Sequence, residues 1–315
     1  MSDPDVLVQR QKIHGMDGTT YAAALRERLP DLDVVHPATP EEERKYLRTA
    51  RVSTGFALTP EQLEIAENLE LFAGVYAGTG HLELDAFERH GVAVTNGSGV
   101  HVPNISEYVI GMMIAHARRF HRAVRNQERQ SWHTHPVTEV SGSRVAIVGL
   151  GAIGRGIVDR LDAFDVETVG VRYSPEKGGP TGEVYGFEDV HAAASDAEYV
   201  VLACPLTEAT ENLVDADLLR TMRSDAILIN IARGGVVDTD ALVSALQTND
   251  VRSAALDVTD PEPLPGDHPL WRLENVTITP HNAGNTPKYF ERCADILAEN
   301  LDRLDEGEAL RNRVL

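Results

Sequence analysis

Residues 144–156 read Arg-Val-Ala-Ile-Val-Gly-Leu-Gly-Ala-Ile-Gly-Arg-Gly, and the fold can be read outward from them. Arg144–Leu150 is a short apolar run rich in β-branched residues, the pattern of a buried parallel strand. It runs into Gly149-Leu150-Gly151-Ala152-Ile153-Gly154, a G-x-G-x-x-G, after which the chain can continue as a helix. Gly149 permits a tight turn, Gly151 lets a pyrophosphate approach the backbone, and Gly154 lets helix and strand pack closely. Free N–H groups at the helix start, with the positive end of its dipole, suit an anion. The motif has this meaning only if a strand precedes it and a helix follows.

The residues beyond it supply that context. Thr168–Tyr173, Tyr199–Cys204, Ala226–Ile231, Ser253–Val258 and Val276–Thr279 read as further strands. Arg155–Phe164, Val190–Ser195, Asp215–Met222 and Asp238–Gln247 read as the helices between them. This is the doubly wound α/β pattern, in which ligands sit at the carboxyl ends of parallel strands. The first hundred or so residues alternate in the same way. Asp5–Gln9, Leu32–His36, Leu69–Tyr76 and Val92–Thr95 suit strands, and Asp17–Leu29 and Leu84–Arg89 suit helices. Thr39-Pro40-Glu41-Glu42 and Thr59-Pro60-Glu61-Gln62 are helix starts, with proline at the first helical position. Asn104–Trp132 reads as one long helix, apolar at first and then charged, and Pro287–Leu304 as a final helix. His133 and His135 lack the further ligands of a metal site and read as a loop pair.

Composition narrows the partners. The chain has 315 residues, enough for two domains, with 49 acidic against 29 basic side chains and a net charge of −20. Such a balance argues against nucleic acid or an anionic membrane as partner. Lys12, Lys45, Lys177 and Lys288 are the only lysines. An acidic excess with lysine scarce suits a halophile, because near molar salt the Debye length is only about 3 Å and self-repulsion is screened. With only Cys204 and Cys293, and no signal-like start, the sequence fits a reducing cytoplasm.

Three strand ends carry side chains that are costly to bury without purpose. Asn230-Ile231-Ala232-Arg233-Gly234-Gly235 brings an arginine, Asp257-Val258-Thr259-Asp260-Pro261-Glu262-Pro263 brings carboxylates, and Thr279-Pro280-His281-Asn282-Ala283-Gly284 brings a histidine. Strand carboxyl ends converge, so Arg233, Glu262 and His281 can meet although far apart in sequence. With the glycine loop, Cys204-Pro205-Leu206-Thr207, Thr210, Leu270-Trp271 and these three stretches, nearly the full chain resembles the D-isomer-specific 2-hydroxyacid dehydrogenases.

The resemblance implies a Rossmann cofactor domain, residues 104–285, inserted into a flavodoxin-like substrate domain, residues 1–103 and 286–315. It implies hydride transfer between a nicotinamide cofactor and a small D-2-hydroxy acid or 2-oxo acid, and a homodimer. Arg233 would bind the substrate through its planar fork of donors. His281 would be the acid/base, since histidine titrates near neutrality. Glu262 would orient the ring and select its tautomer. Tyr76, Ala77 and Gly78 match the family's substrate loop, where backbone N–H groups hold the carboxylate. This chain departs from the family's Gly-Ala-Gly-x-Asp there, with Tyr76 for a glycine and Gly80 for the aspartate. Tyr76 could shape the substrate pocket or pack inward. Cofactor contacts are implied for Gly149, Gly151, Ala152, Ile153 and Gly154, for Cys204, Pro205 and Thr210, and for Ile231, Ala232, Asp257 and Gly284.

Cofactor choice follows from charge. NAD sites place an acid about 20 residues past the glycines, on the ribose 2′-hydroxyl. Here the next strand ends in Val171-Arg172-Tyr173-Ser174-Pro175, with no acid at that place. Arg172 and Ser174, beside Tyr173, instead suit a 2′-phosphate, so NADP(H) is expected to be preferred and NAD(H) used less well. Two alternatives share the fold. One is an NAD(H)-sensing co-repressor that acts by recruiting partners. The other is a relative acting on formate, phosphite or phosphoglycerate, although formate enzymes carry glutamine where Glu262 stands.

Overall fold

A computed structural model describes residues 3–11 and 17–315. The chain divides into two compact units, Met1–Val100 with Thr286–Leu315, and His101–Asn285. Each holds one parallel sheet flanked by helices, so the α/β class read from the alternating pattern is borne out.

The first unit contains β1 (Val6–Val8), β2 (Val34–Val35), β3 (Val52–Gly55), β4 (Leu71–Gly74) and β5 (Ala93–Thr95), ordered β2-β1-β3-β4-β5. That is the flavodoxin-like order. Alternate strand residues serve opposite faces, as the pleat requires. Val6, Val8, Leu71 and Ala73 enter one core, while Leu7, Phe72 and Val94 enter the other. The helix Tyr289–Glu306 supplies Phe290, Ala294, Leu297 and Leu301 to the first of these cores. Thr39 and Thr59 each close a capping box with the residue three positions on, which explains why both Thr-Pro signatures begin helices.

The second unit contains β6 (Arg144–Val148), β7 (Glu167–Val171), β8 (Glu183–Tyr185), β9 (Tyr199–Leu202), β10 (Ile227–Asn230), β11 (Ser253–Leu256) and β12 (Val276–Ile278). Their order is β12-β11-β10-β9-β6-β7-β8, all parallel. The order reverses between β6 and β9, the place where doubly wound sheets open a crevice. Val148, Val200, Leu202 and Leu228 fill one face; Ile147, Val201, Ile227 and Ile229 fill the other.

Three local readings need correction. The expected single helix Asn104–Trp132 is two helices, Val102–Ala117 and Phe120–Glu128, separated by Arg119 in the left-handed region at φ 52°. Ile105, Val109, Met113 and Ala117 form the buried stripe of the first helix. No residue of the second is buried, so no apolar stripe holds it to the first axis. The strands β3 and β8 were not expected at all. Among the described residues, no helix is long and apolar enough to cross a membrane, and no three His, Cys, Asp or Glu are grouped to hold a metal.

Candidate active site

The glycine loop follows β6 directly. Gly149 has φ 109°, and a Cβ there would lie 2.6 Å from the backbone of Ala203 and Cys204, which follow β9. A Cβ on Gly154 would fall on the carbonyl oxygen of Gly149. Both glycines are therefore demanded by the close approach of chain to chain. Gly151 differs: a Cβ there would meet nothing within 4 Å, although it is the N-cap of the helix Ala152–Leu161. No side chain caps this helix, and Gly151 and Ala152 are exposed. Its first N–H groups thus face open space, the geometry needed for a pyrophosphate. The residues present fit a dinucleotide.

At the end of β7, Arg172 donates to the Gly178 carbonyl at 2.7 Å, which spends one of its five N–H groups. Tyr173 is 81% exposed. Among the described residues the Ser174 hydroxyl has no hydrogen-bond partner. Cys204 is buried beneath the glycine loop, and burial pushes its thiol up to about 11. Thr210 is 1% exposed, donates to the Pro205 carbonyl at 2.6 Å and accepts from the Thr207 N–H at 2.8 Å. It staples the loop after β9 and has little surface left for a ligand.

Arg233, Glu262 and His281 follow β10, β11 and β12, three neighbouring strands. Adjacent strands lie about 4.8 Å apart, so the three segments leave the sheet side by side. Buried Asn230 fixes the first turn: its Oδ1 accepts from Ala232 N–H at 2.9 Å and its Nδ2 donates to the Arg233 carbonyl at 3.0 Å. Ile231 and Ala232 are buried, while Arg233 is exposed and donates to the Ala232 carbonyl at 2.6 Å. A Cβ on Gly234 would strike the backbone of Thr259 and Asp260, so the Arg233 turn packs directly on the loop that bears Glu262.

Glu262 Oε1 lies 2.8 Å from His281 Nδ1. With Nδ1 engaged, Nε2 is the ring atom available to carry a proton to or from a ligand. The two side chains keep 42% and 50% of their surface exposed, so the dyad is open to a substrate. His281 itself sits at φ 54°, with its N–H directed to the carbonyls of Asp257 at 2.9 Å and Thr279 at 3.0 Å.

Asp257 holds this turn. It is 2% exposed, and its carboxylate accepts from the Thr279 hydroxyl at 2.6 Å, Asn282 N–H at 2.8 Å and Ala283 N–H at 2.9 Å. Since Thr279 gives its one proton to Asp257, the Tyr108 hydroxyl 2.6 Å away must be the donor to Thr279. Burial, the dominant cause, pushes the Tyr108 phenol up to about 12, so it remains protonated to make that bond. Neither Asn230 nor Tyr108 carried a role in the sequence reading. A buried Asn closing a strand end is the signal that could have exposed the first; nothing local marks the second.

In the first unit, Tyr76 follows β4. Its ring meets Phe56 edge-on at 5.5 Å and His81 at 6.1 Å, while Phe56 and His81 stack at 4.2 Å. The Ala77 carbonyl accepts from Asn96 Nδ2 at 2.7 Å. Among the described residues the N–H groups of Ala77 and Gly78 have no partner, and both residues are exposed. Tyr289, on the last helix, donates to the Val75 carbonyl at 2.7 Å and so steadies the start of this loop.

Residues 110–283 match the family model described as D-isomer specific 2-hydroxyacid dehydrogenase, NAD binding domain. A glyoxylate reductase of Thermofilum pendens is 34% identical over 258 residues, 79% of this chain and 75% of that protein. A D-3-phosphoglycerate dehydrogenase of Methanocaldococcus jannaschii is 30% identical over 299 residues; the match takes in 93% of this chain and 57% of that one. The crystal structure of a D-isomer specific 2-hydroxyacid dehydrogenase from Xanthobacter autotrophicus Py2, in complex with NADPH and MES, superposes with a TM-score of 0.79. It is 28% identical and covers 99% of this chain and 98% of its own. The chain belongs to the D-isomer specific 2-hydroxyacid dehydrogenase family and is an NAD(P)-dependent oxidoreductase.

Proposed function

We propose that the enzyme is an NADP(H)-preferring reductase of small 2-oxo acids, with His281 as acid/base, Glu262 orienting it and Arg233 binding the substrate. The observation that carries this reading is the 2.8 Å Glu262–His281 pair standing beside the Arg233 turn at the carboxyl edge of the sheet. When bound, the nicotinamide supplies the hydride for the carbonyl carbon. Arg233 holds the substrate's carboxylate and carbonyl oxygens through its fork of donors. The N–H groups of Ala77 and Gly78, which have no partner among the described residues, are the first unit's own donors for a substrate carboxylate. His281 Nε2 gives a proton to the carbonyl oxygen as it becomes a hydroxyl, and Glu262 keeps Nδ1 engaged while it does so.

The exposed first turn at Gly151, with Ala152 and Ile153, takes the pyrophosphate. Arg172 and Ser174 take the 2′-phosphate, with Tyr173 beside them; the absence of an acid at this strand end favours NADP(H) over NAD(H). Cys204, Pro205, Ile231, Ala232 and Gly284 form the backbone walls around the cofactor, with Thr210 and Asp257 supporting these walls from beneath. The net charge of −20 supports activity in molar salt, and we take the active form to be a homodimer in the cytoplasm. NADPH and NADH oxidation across glyoxylate, hydroxypyruvate, pyruvate and branched 2-oxo acids, at low and molar salt, tests reaction, cofactor and salt response together. Light scattering in parallel gives the subunit number. Oxidation with none of these acids would refute the reductase reading and leave the partner-recruiting alternative.

A further inference from the structure

At the amino edge of the seven-stranded sheet, a cleft of about 570 Å³ lies between the helix Phe120–Glu128 and the starts of β10, β11 and β12. This is the end remote from Arg233, Glu262 and His281, which follow the same three strands. Arg119, Arg122 and Arg125 line the cleft from the helix side, and Arg252 from the residue before β11. The two carboxylates in its wall are already engaged. Asp225 holds Arg223 through both oxygens, at 2.8 and 2.9 Å, and Glu274 faces Arg129 at 3.5 Å.

Among the described residues, the remaining arginines reach only uncharged groups or none. Arg125 donates to the Glu274 carbonyl at 2.6 Å, and Arg252 to the Thr138 hydroxyl at 3.3 Å and the His116 carbonyl at 3.1 Å. Among the described residues, Arg119 and Arg122 form no ion pair. In a chain with 49 acidic side chains against 29 basic ones, four guanidiniums gathered without a carboxylate partner run against the overall charge. His121 lines the same cleft, and its buried Nδ1 has no hydrogen-bond partner among the described residues. The strain of this crowding registers on its members. Burial first, and then Arg125, Arg119 and Arg252, hold the His121 imidazole below its ordinary range. Burial and Arg119 lower the Arg252 guanidinium, with Tyr199 and Asp225 offsetting part of the effect.

We propose that this cleft is a second anion site, separate from the cofactor and substrate groups, which takes a phosphate-type oxyanion, either free or as a monoester. Guanidinium forks on two different elements match an anion with three terminal oxygens, which can accept from several of them at once. A halide has neither the oxygens nor the second charge to neutralise the cluster. The volume leaves room for a nucleoside monophosphate.

The test uses the whole chain with NADPH or NADH at saturation, so that cofactor groups are filled, at the lowest salt that keeps the enzyme folded. Inorganic phosphate is titrated by calorimetry in one arm and AMP in the other. We expect saturable binding at one site per chain, weakened about ten-fold or more by the double substitution Arg122→Gln with Arg125→Gln, with kcat within about two-fold of wild type. The two residues lie on a helix with no buried side chain, so the variant keeps its fold. Tighter binding of phosphate would name the free ion as ligand, and tighter binding of AMP a monoester. No saturable binding of either, or equal binding by wild type and variant, would overturn the proposal. So would a fall in molecular mass in the variant, which would assign the arginines to the carboxylates of a second copy.

Discussion

The carboxylate of Asp257 and the hydroxyl of Thr279 meet at 2.6 Å, which ties the end of β11 to the turn that presents His281. A histidine at positive φ needs its neighbours fixed, and two N–H donors from Asn282 and Ala283 complete the anchor.

Asp257→Asn should therefore act on stability and turnover together. The amide keeps an acceptor for Thr279 and Asn282 but turns a donor toward the Ala283 N–H. One charge-assisted hydrogen bond is lost, a cost of about 1.5–3 kcal/mol, and His281 is displaced. Urea unfolding and steady-state rates measured on the same sample check this. A variant as stable and as fast as wild type would show that the anchor lies elsewhere.

For the proton-transfer pair, replacement of His281 by Ala should lower kcat by about 10²- to 10⁴-fold. Glu262→Ala leaves the imidazole in place but unoriented, so the loss should be smaller, on the order of 10- to 100-fold. Arg233→Ala should lose substrate binding as well as rate. Near-normal kcat/KM in any of the three would remove that residue from its role.

Arg172→Asp should reverse the cofactor preference. Removing a guanidinium from a phosphate and adding a carboxylate that repels it should raise the KM for NADPH by about 10- to 100-fold, while NADH gains a partner for its ribose hydroxyls. An unchanged ratio of kcat/KM for the two cofactors would be incompatible with the assignment.

The glycines of the loop should separate by phenotype. Gly154→Ala drives a methyl group onto the Gly149 carbonyl and should destabilise the unit whether or not cofactor is present. The methyl group of Gly151→Ala meets no protein atom within 4 Å, so the variant's melting temperature without cofactor should stay near wild type while cofactor affinity falls. Equal destabilisation of both variants in the cofactor-free protein would contradict the open space at Gly151.

His116 predicts acid sensitivity. The ring is 1% exposed, with Nδ1 3.0 Å from the Ser253 hydroxyl and Nε2 without a partner among the described residues. Burial, then His121 and Arg252, push it down to about 3. Above the unfolded value of about 6.5 neither state binds the proton, and stability is complete. Between the two values only the unfolded chain takes it up, so stability falls by up to about 1.4 kcal/mol per pH unit as pH drops. His116→Gln should flatten that slope between pH 6.5 and pH 5, seen as a smaller shift of the urea midpoint. Parallel slopes in wild type and variant would place the acid response on other groups.

Legibility in the sequence followed burial by apolar side chains. The strands after the glycine loop are continuous apolar runs because helices cover both faces, and their order of ends brought Arg233, Glu262 and His281 together on paper. β3 escaped because its centre is Ser53-Thr54, polar residues buried whole. Thr54 is satisfied by the Ala73 carbonyl at 2.7 Å and the Tyr21 hydroxyl at 3.1 Å, contacts that no local pattern announces. β8 is a short edge strand with an exposed first residue and no hydrophobic period. The break at Arg119 was hidden because charged residues are good helix formers, and only the end of the buried stripe marks it. The resemblance implies a cofactor contact for Asp257, but no local pattern announces that its carboxylate also accepts from Thr279, Asn282 and Ala283.

The interruption of one unit by the other also sets an order of synthesis. All five strands β1–β5 leave the ribosome before β6 exists, yet Phe290, Ala294, Leu297 and Leu301, which close one face of their sheet, are made only after His101–Asn285. At about 5–20 residues per second the wait is on the order of ten seconds or more. Through that interval the apolar face has only the part of its cover that Tyr21, Ala22 and Leu25 of the helix Gly18–Arg28 supply, while the nucleotide-binding unit can complete its own core without a missing part. The first-made half of the enzyme is thus the last to be finished.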